Sequence, residues 1–422
     1  MLLLSEFRDG KGVVMKIQYS VDQLELGMYV AELDRPWIGT PFLFQGFLIE
    51  NDEQLDQLRQ LCKHVFVDDL KSSTDNLLQN KLHAAVRGST ITVIFEEWKG
   101  LDKLRRTIQS LEQKSNTIAV RLKTFVDGDA TQKSEQLRDT RHAVAQLIDD
   151  VTADPKTGFW MRILSEQDEE ISRHAVNTSV LAVGFAAELG WDVHLQEAVG
   201  QGAMFHDVGM AKVPARIRDK PAALSQIEFQ LIKLHPGYAA TRLEGNADID
   251  SRIIEVVRHH HERLDGSGYP DGLSGDSIPD YVQLVSICDI YDSYTTDQAY
   301  RPKLMSSAAL SRLTRRSAQH FDKTLVEKFI RWIGIYPLGS LVRLRNTSLA
   351  IVVSSDAAKR LRPVVLLVKG PDGKAILPRK TLNLEAVEQA GLGDEWSVQE
   401  IVDPLTVGID VRSILLQELK LR

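Results

Sequence analysis

Histidine is concentrated in one stretch of this chain. Of eleven histidines, His174, His194, His206, His235, His259, His260 and His261 lie in one segment. Imidazole and carboxylate donors without thiolate suit a divalent first-row ion. His206 and Asp207 follow the apolar run LQEAVGQGAMF. An imidazole beside a carboxylate at a helix end can bind two neighbouring ions, or two sides of one. Glu170 precedes His174 by one helical turn, which puts both on one face. The alternative is a surface Glu-His pair. Asp289 interrupts the apolar run YVQLVSICDIYDSY, where an unpaired ionised carboxylate is costly to bury and a bound ion would remove the cost.

These residues need helices to carry them. The chain reads as strongly helical from the end of a linker at 126–135 to about Ile335. Ser225 and Glu228 form a capping box, and His235-Pro236 marks a helix start. His260 and His261 close IDSRIIEVVRHHH and lead into a turn containing Gly266, Gly268, Tyr269, Pro270 and Gly272. Upstream, KIQYSV, MYVAEL, FLFQGFLI and HVFVD read as short strands, with a helix from Asp52 to Cys62. Residues 70–92 are polar, and 100–123 resume a helical rhythm. Beyond Tyr336-Pro337 the character turns to strand, in LVRLR, LAIVVS and PVVLLVKG.

The expected architecture is therefore multidomain. An all-α helical catalytic domain at 141–337 is flanked by a small α+β amino-terminal module at 1–140 and a β-rich carboxy-terminal appendage at 338–422. A chain of 422 residues, 43% hydrophobic, can bury more than one core. Its net charge of −7, with both signs interleaved, argues against general nucleic-acid binding. MLLL is too short for a signal-peptide core and no window approaches a membrane span, so the expectation is a cytoplasmic protein that does not bind membrane. Cys62 and Cys288 read as two reduced core cysteines.

From His260 to Pro270 the chain reads H-H-E-x-x-D-G-x-G-Y-P, about fifty residues after His206-Asp207-Val208-Gly209. With His235-Pro236 and Asp289-Ile290-Tyr291-Asp292, this resembles the HD-GYP subgroup of the HD phosphohydrolases over residues 140–335. GMYVAELDRPWIGTPFLFQGFLI is similar to an uncharacterised amino-terminal domain often fused to such proteins. The resemblance implies an HD-type fold and metal ligands at His174, His206, Asp207, His235, His260, His261 and Asp289. His206 and Asp207 are the implied catalytic pair. Glu170 makes a third ion an option beside two, with iron or manganese the expected metal.

The implied reaction is hydrolysis of the cyclic dinucleotide c-di-GMP to pGpG, and in many members on to GMP. A metal-bridged hydroxide is the expected nucleophile. Gly268, Tyr269, Pro270 and Arg301 are the implied substrate-binding residues. The Gly-Tyr-Pro loop is also a candidate contact for diguanylate cyclase domains, and the flanking domains are candidates for signal reception or homodimer formation. Two positions depart from the family pattern. Met210 stands where a phosphate-contacting lysine is usual, with Lys212 two residues on, and Gln298 stands where an arginine is usual. Two alternatives therefore stay open: a catalytically weak sensor or scaffold that binds metal and nucleotide, and a phosphodiesterase for cyclic GMP-AMP.

Overall fold

The computed structural model describes residues 4–9, 12–35, 40–42, 46–49, 51–68, 95–96, 101–127, 133–164, 170–246, 248–297, 303–354, 361–391 and 394–421. Their contacts divide the chain into two compact units. One comprises Met1–Glu97, Arg343–Ala350 and Val364–Gln399; the other comprises Trp98–Val342, Ile351–Pro363 and Glu400–Arg422.

The first unit contains a five-stranded antiparallel sheet of Leu4–Asp9, Gly12–Ser20, Tyr29–Leu33, Phe47–Leu48 and His64–Asp68. In the last of these, Val65 and Val67 are buried while His64 and Phe66 are half-buried, the period-two pattern of a one-sided sheet. They share a core with Leu55 and Leu58 of helix Asp52–Leu61. Asn51 starts that helix by accepting a hydrogen bond from the Gln54 amide at 3.0 Å. Val364–Lys369 pairs with Thr381–Asn383, which pairs in turn with Phe95–Glu96, a partner far away in sequence.

The second unit is the helical one. Helices Leu101–Asp127 and Lys133–Ala153 bracket part of the segment read as a linker: the first runs past its start and the second resumes before its end. Helices Glu170–Glu188 and Val193–Phe205 lie at the middle of the unit. Their residues from Ala175 to Ala186 and from Ala198 to Phe205 are all buried, as a helix apolar on every face requires. On one side lies a cluster including Phe125, Leu147 and Leu243; on the other, one including Tyr291, Leu313 and Phe329. Ser225 accepts from the Glu228 amide and Glu228 accepts from the Ser225 amide, so the capping box forms. Both cysteines are free and buried. Among the described residues no helix is long and apolar enough to cross a membrane.

Candidate metal centre

Most of the polar side chains at the centre of the helical unit come from helix ends. His206 caps Val193–Phe205 and Asp207 follows it. His235 opens His235–Leu243, with Pro236 in the first turn. His260 caps Ser251–His259, and His261 comes next. His174 and Asp289 instead project from within Glu170–Glu188 and Asp280–Thr295.

These residues form two groups that share Asp207. Asp207, His235, His260 and His261 bring ligand atoms within 4.8 Å of one another, and so do His174, His206 and Asp207. The two oxygens of the shared carboxylate face different groups. Oδ1 is 3.1 Å from His235 Nε2 and 3.9 Å from His260 Nε2. Oδ2 is 3.5 Å from His206 Nε2 and 4.0 Å from His174 Nε2. Asp289 Oδ1 joins the second group, 3.0 Å from His174 Nε2. Burial opposes ionisation of Asp207, but His206, His235 and His174 outweigh it and hold its pKa well below the usual carboxylate range.

Backbone carbonyls fix the histidine tautomers. His206, His235 and His260 each donate Nδ1–H to the carbonyl three residues earlier, on Ala203, Ile232 and Val257, at 2.6, 2.7 and 2.9 Å. A carbonyl only accepts, so Nε2 of a neutral ring carries the lone pair, and that atom points inward. His206 Nε2 is buried and makes no hydrogen bond. An orphaned atom of this kind costs about 1–3 kcal/mol. His235 Nε2 and His260 Nε2 lie 3.3 Å apart. Burial disfavours charge on His235, but its hydrogen bond to Asp207 raises its pKa, so the geometry favours positive charge, a proton or an ion, at His235 Nε2. Burial and the neighbouring histidines hold His260 and His261 well below the ordinary imidazole pKa, which keeps them neutral. The donor set therefore fits a divalent cation in each group: imidazole nitrogens and carboxylate oxygens lie within 4.8 Å of one another, and neither group includes a cysteine.

His174 is oriented differently. Its Nδ1 donates to Asp292 Oδ2 at 2.9 Å, and Asp292 is fully buried. Arg162 Nη1 holds the other oxygen of Asp292 at 3.3 Å and also donates to Thr295 Oγ1. Burial disfavours charge on His174, but hydrogen bonds to Asp289 and Asp292 raise its pKa well above the ordinary value. A ligating ion would displace the Nε2 proton. The orienting role of Asp292 makes a prediction. Asp292→Asn should weaken retention of an ion beside His174 by about 10–100-fold. Titration of metal-loaded protein with a chelator measures this, and a stripping curve identical to wild type would refute it.

The turn after His261 lies over this centre. Glu262 is buried and its carboxylate accepts from the amides of Asp271, Gly272 and Leu273 at 2.7, 3.0 and 3.1 Å, so it anchors the loop. Gly268 is dictated by close approach: a Cβ there would lie 2.5 Å from Glu262 Cα and 2.6 Å from both Arg263 N and His261 O. Tyr269 packs against His261 with ring centres 4.7 Å apart and the rings tilted by 36°. Burial, with Asp207 and Asp289 adding, pushes the Tyr269 phenol above its usual range, which keeps it neutral. Pro270 is exposed.

Two histidines of the dense stretch lie elsewhere. His194 is exposed beside Glu197, and His259 bonds Asp271 at 3.0 Å. Met210 is half-buried in the turn after Asp207, and Lys212 is exposed. Glu170 begins its helix, but its side chain lies outside the described residues, as do Gln298 and Arg301. Asp292, Arg162 and Glu262 support this cluster or its loop through contacts that spacing alone did not reveal. The signal for Asp292 was its place three residues after Asp289 on an apolar helix.

Residues 159–325 match the family model described as HD domain, and residues 16–157 match the domain of unknown function DUF3391. The chain is 30% identical over 373 residues to cyclic di-GMP phosphodiesterase PA4108 of Pseudomonas aeruginosa, covering 86% of this chain and 88% of that one. It is 26% identical over 221 residues to cyclic di-GMP phosphodiesterase PdeB of Borreliella burgdorferi, covering 52% and 58%. It is 28% identical over 180 residues to 3'3'-cGAMP-specific phosphodiesterase 1 of Vibrio cholerae, covering 38% and 41%. Among solved structures, Bd1817, a HDG"Y"P protein from Bdellovibrio bacteriovorus, aligns with a TM-score of 0.46 at 17% identity, over 74% of this chain and 98% of that chain.

Proposed function

Because the chain belongs to the HD domain family, as an HD-GYP protein with an amino-terminal DUF3391 domain, we propose that it hydrolyses c-di-GMP at a metal centre to give pGpG and then GMP. The observation that carries this reading is the Asp207 carboxylate, whose two oxygens face two separate histidine groups. In the proposed centre His235, His260 and His261 would hold one ion, His174, His206 and Asp289 would hold another, and Asp207 would serve both. Bound divalent ions would supply Lewis acidity toward a phosphoryl oxygen and acidify water.

The chain's own residues then have defined tasks. The Ala203, Ile232 and Val257 carbonyls fix three rings with Nε2 inward. Asp292 fixes His174. Glu262 holds the loop so that the Tyr269 ring closes over His261 and excludes water from that side, with the neutral phenol available as a hydrogen-bond donor. Nitrogen and carboxylate donors support iron or manganese as the metal. Glu170, one turn before His174, is the proposed addition for a third ion. Arg301 is the proposed phosphate contact downstream.

A cytoplasmic site of action is part of this proposal, as is contact with a diguanylate cyclase domain through the loop. The second is supported by exposed Pro270 and by Phe229, which is 43% exposed and lies edge-on to Tyr269 with ring centres 6.4 Å apart. The flanking segments are assigned to signal reception or to pairing of two chains. Cyclic GMP-AMP is the second substrate reading, favoured by the similarity to the cGAMP-specific enzyme. The test is chromatographic. Protein purified without oxygen and loaded with iron or manganese should convert c-di-GMP to pGpG. Conversion of cyclic GMP-AMP alone would establish the second reading, and no product from a panel of cyclic dinucleotides would leave a binding protein.

A further inference from the structure

A cyclic dinucleotide carries two phosphodiesters, and only one can be at the metal centre during a cleavage. The other needs a cation that is not already neutralised. Most cations around the Gly-Tyr-Pro loop are engaged. Arg258 grips Asp271 with two hydrogen bonds at 2.7 and 2.9 Å. Arg263 lies over the Phe321 ring and donates to the carbonyls of His260 and Glu262. Lys220 is clasped by both oxygens of Glu228.

Lys233 differs from these. It caps helix Gln226–Ile232 two residues before His235, and the neighbouring Ile232 carbonyl holds His235 Nδ1. Lys233 is half-buried, and its ammonium lies 5.1 Å from the centre of the Phe229 ring and 5.3 Å from that of Tyr269. Among the described residues no carboxylate pairs with it. Two ring faces attract an ammonium and restrict where it goes, yet offer no oxygen to its three N–H donors. Tyr269 in turn packs against His261, with ring centres 4.7 Å apart. A positioned, unneutralised cation thus stands one aromatic ring away from the ligand cluster. We propose that Lys233 binds the phosphodiester that is not being cleaved, an inference that rests on the cyclic-dinucleotide reading above.

The competing role is structural, a lysine stem lying on apolar rings with its head in solvent. Lys233→Met keeps the stem and removes the charge; Lys233→Arg keeps a charge. Steady-state kinetics of the manganese-loaded full chain, on c-di-GMP, cyclic GMP-AMP and bis(p-nitrophenyl) phosphate, separate the two. Loss of a charge-assisted contact should raise the cyclic-dinucleotide KM of Lys233→Met by about 10–100-fold. The small diester has no second phosphate, so its KM should move far less, and Lys233→Arg should recover most of the cyclic-dinucleotide affinity. An unchanged cyclic-dinucleotide KM in Lys233→Met, or an equal rise for both kinds of substrate, overturns the role of Lys233 alone. A wild-type protein that turns over no cyclic dinucleotide overturns the substrate reading and this inference with it.

Discussion

Asp207→Asn is expected to lower turnover by on the order of 10³-fold or more, equivalent to about 4 kcal/mol of transition-state stabilisation. The substitution preserves shape and removes the charge shared by both histidine groups. Oδ1 lies beside His235 and His260, and Oδ2 beside His206 and His174. An amide offers one oxygen and turns two N–H donors toward imidazole nitrogens that need a cation. Both ions should therefore be lost together. Asp289→Asn should behave differently, because Asp289 contacts His174 alone among these histidines by hydrogen bond, so its loss should weaken one ion more than the other. Elemental analysis of the two proteins after gel filtration, beside their melting curves, makes the comparison. A fully folded Asp207→Asn protein that retained both ions would refute the bridging role.

How much of this was legible in sequence varied with the kind of interaction. Burial cost marked Asp289 alone, whereas His206-Asp207, His235-Pro236 and His260-His261 could be read because together they carry the motif of a known family. The structure gathers all of these around one carboxylate. Histidine density alone was misleading at two positions: His194 is on an exposed surface, and His259 turns toward Asp271. Glu262 stands inside the H-H-E string, yet its partners are three backbone amides of the following loop. Arg162 was hidden because its link to Asp292 crosses from one helix to another with no local spacing to mark it.

The fold shows the same contrast. Alternation exposed the strands around Val65 and Val67, and all-round apolar runs exposed the buried central helices. KIQYSV was read as a strand and lies largely within Gly12–Ser20, but its partner went unread: Leu4–Asp9 runs antiparallel to it, with Asp9 opposite Gly12. Pairing of Phe95–Glu96 with Thr381–Leu382 had no signal, because a two-residue edge contact between distant segments leaves no periodicity. The linker was overextended since polar residues alone do not end a helix, and Leu101–Asp127 continues into that segment.

Gly209→Ala should do more damage than its single methyl suggests. A Cβ at Gly209 would lie 2.0 Å from the His235 carbonyl oxygen and 2.8 Å from the Ala239 amide nitrogen. Both obstacles are backbone of helix His235–Leu243, so no rotamer change relieves them. The helix must move, and His235 with it, away from an Asp207 only two residues before the substitution and 3.1 Å from His235 Nε2. Overpacking of this kind costs about 1–3 kcal/mol, which is about 2–12 °C in melting temperature for a unit of roughly 150–250 residues. Gly237→Ala supplies the control, since it lies in the same helix and a Cβ there meets nothing within 4 Å. That substitution should be neutral or stabilising by up to about 1 kcal/mol, because alanine favours the helix. Scanning calorimetry and metal content of the two variants decide the point. Equal melting temperatures and equal metal retention would mean that the contact between the Asp207 turn and the His235 helix yields without cost, and that the centre does not depend on their close approach.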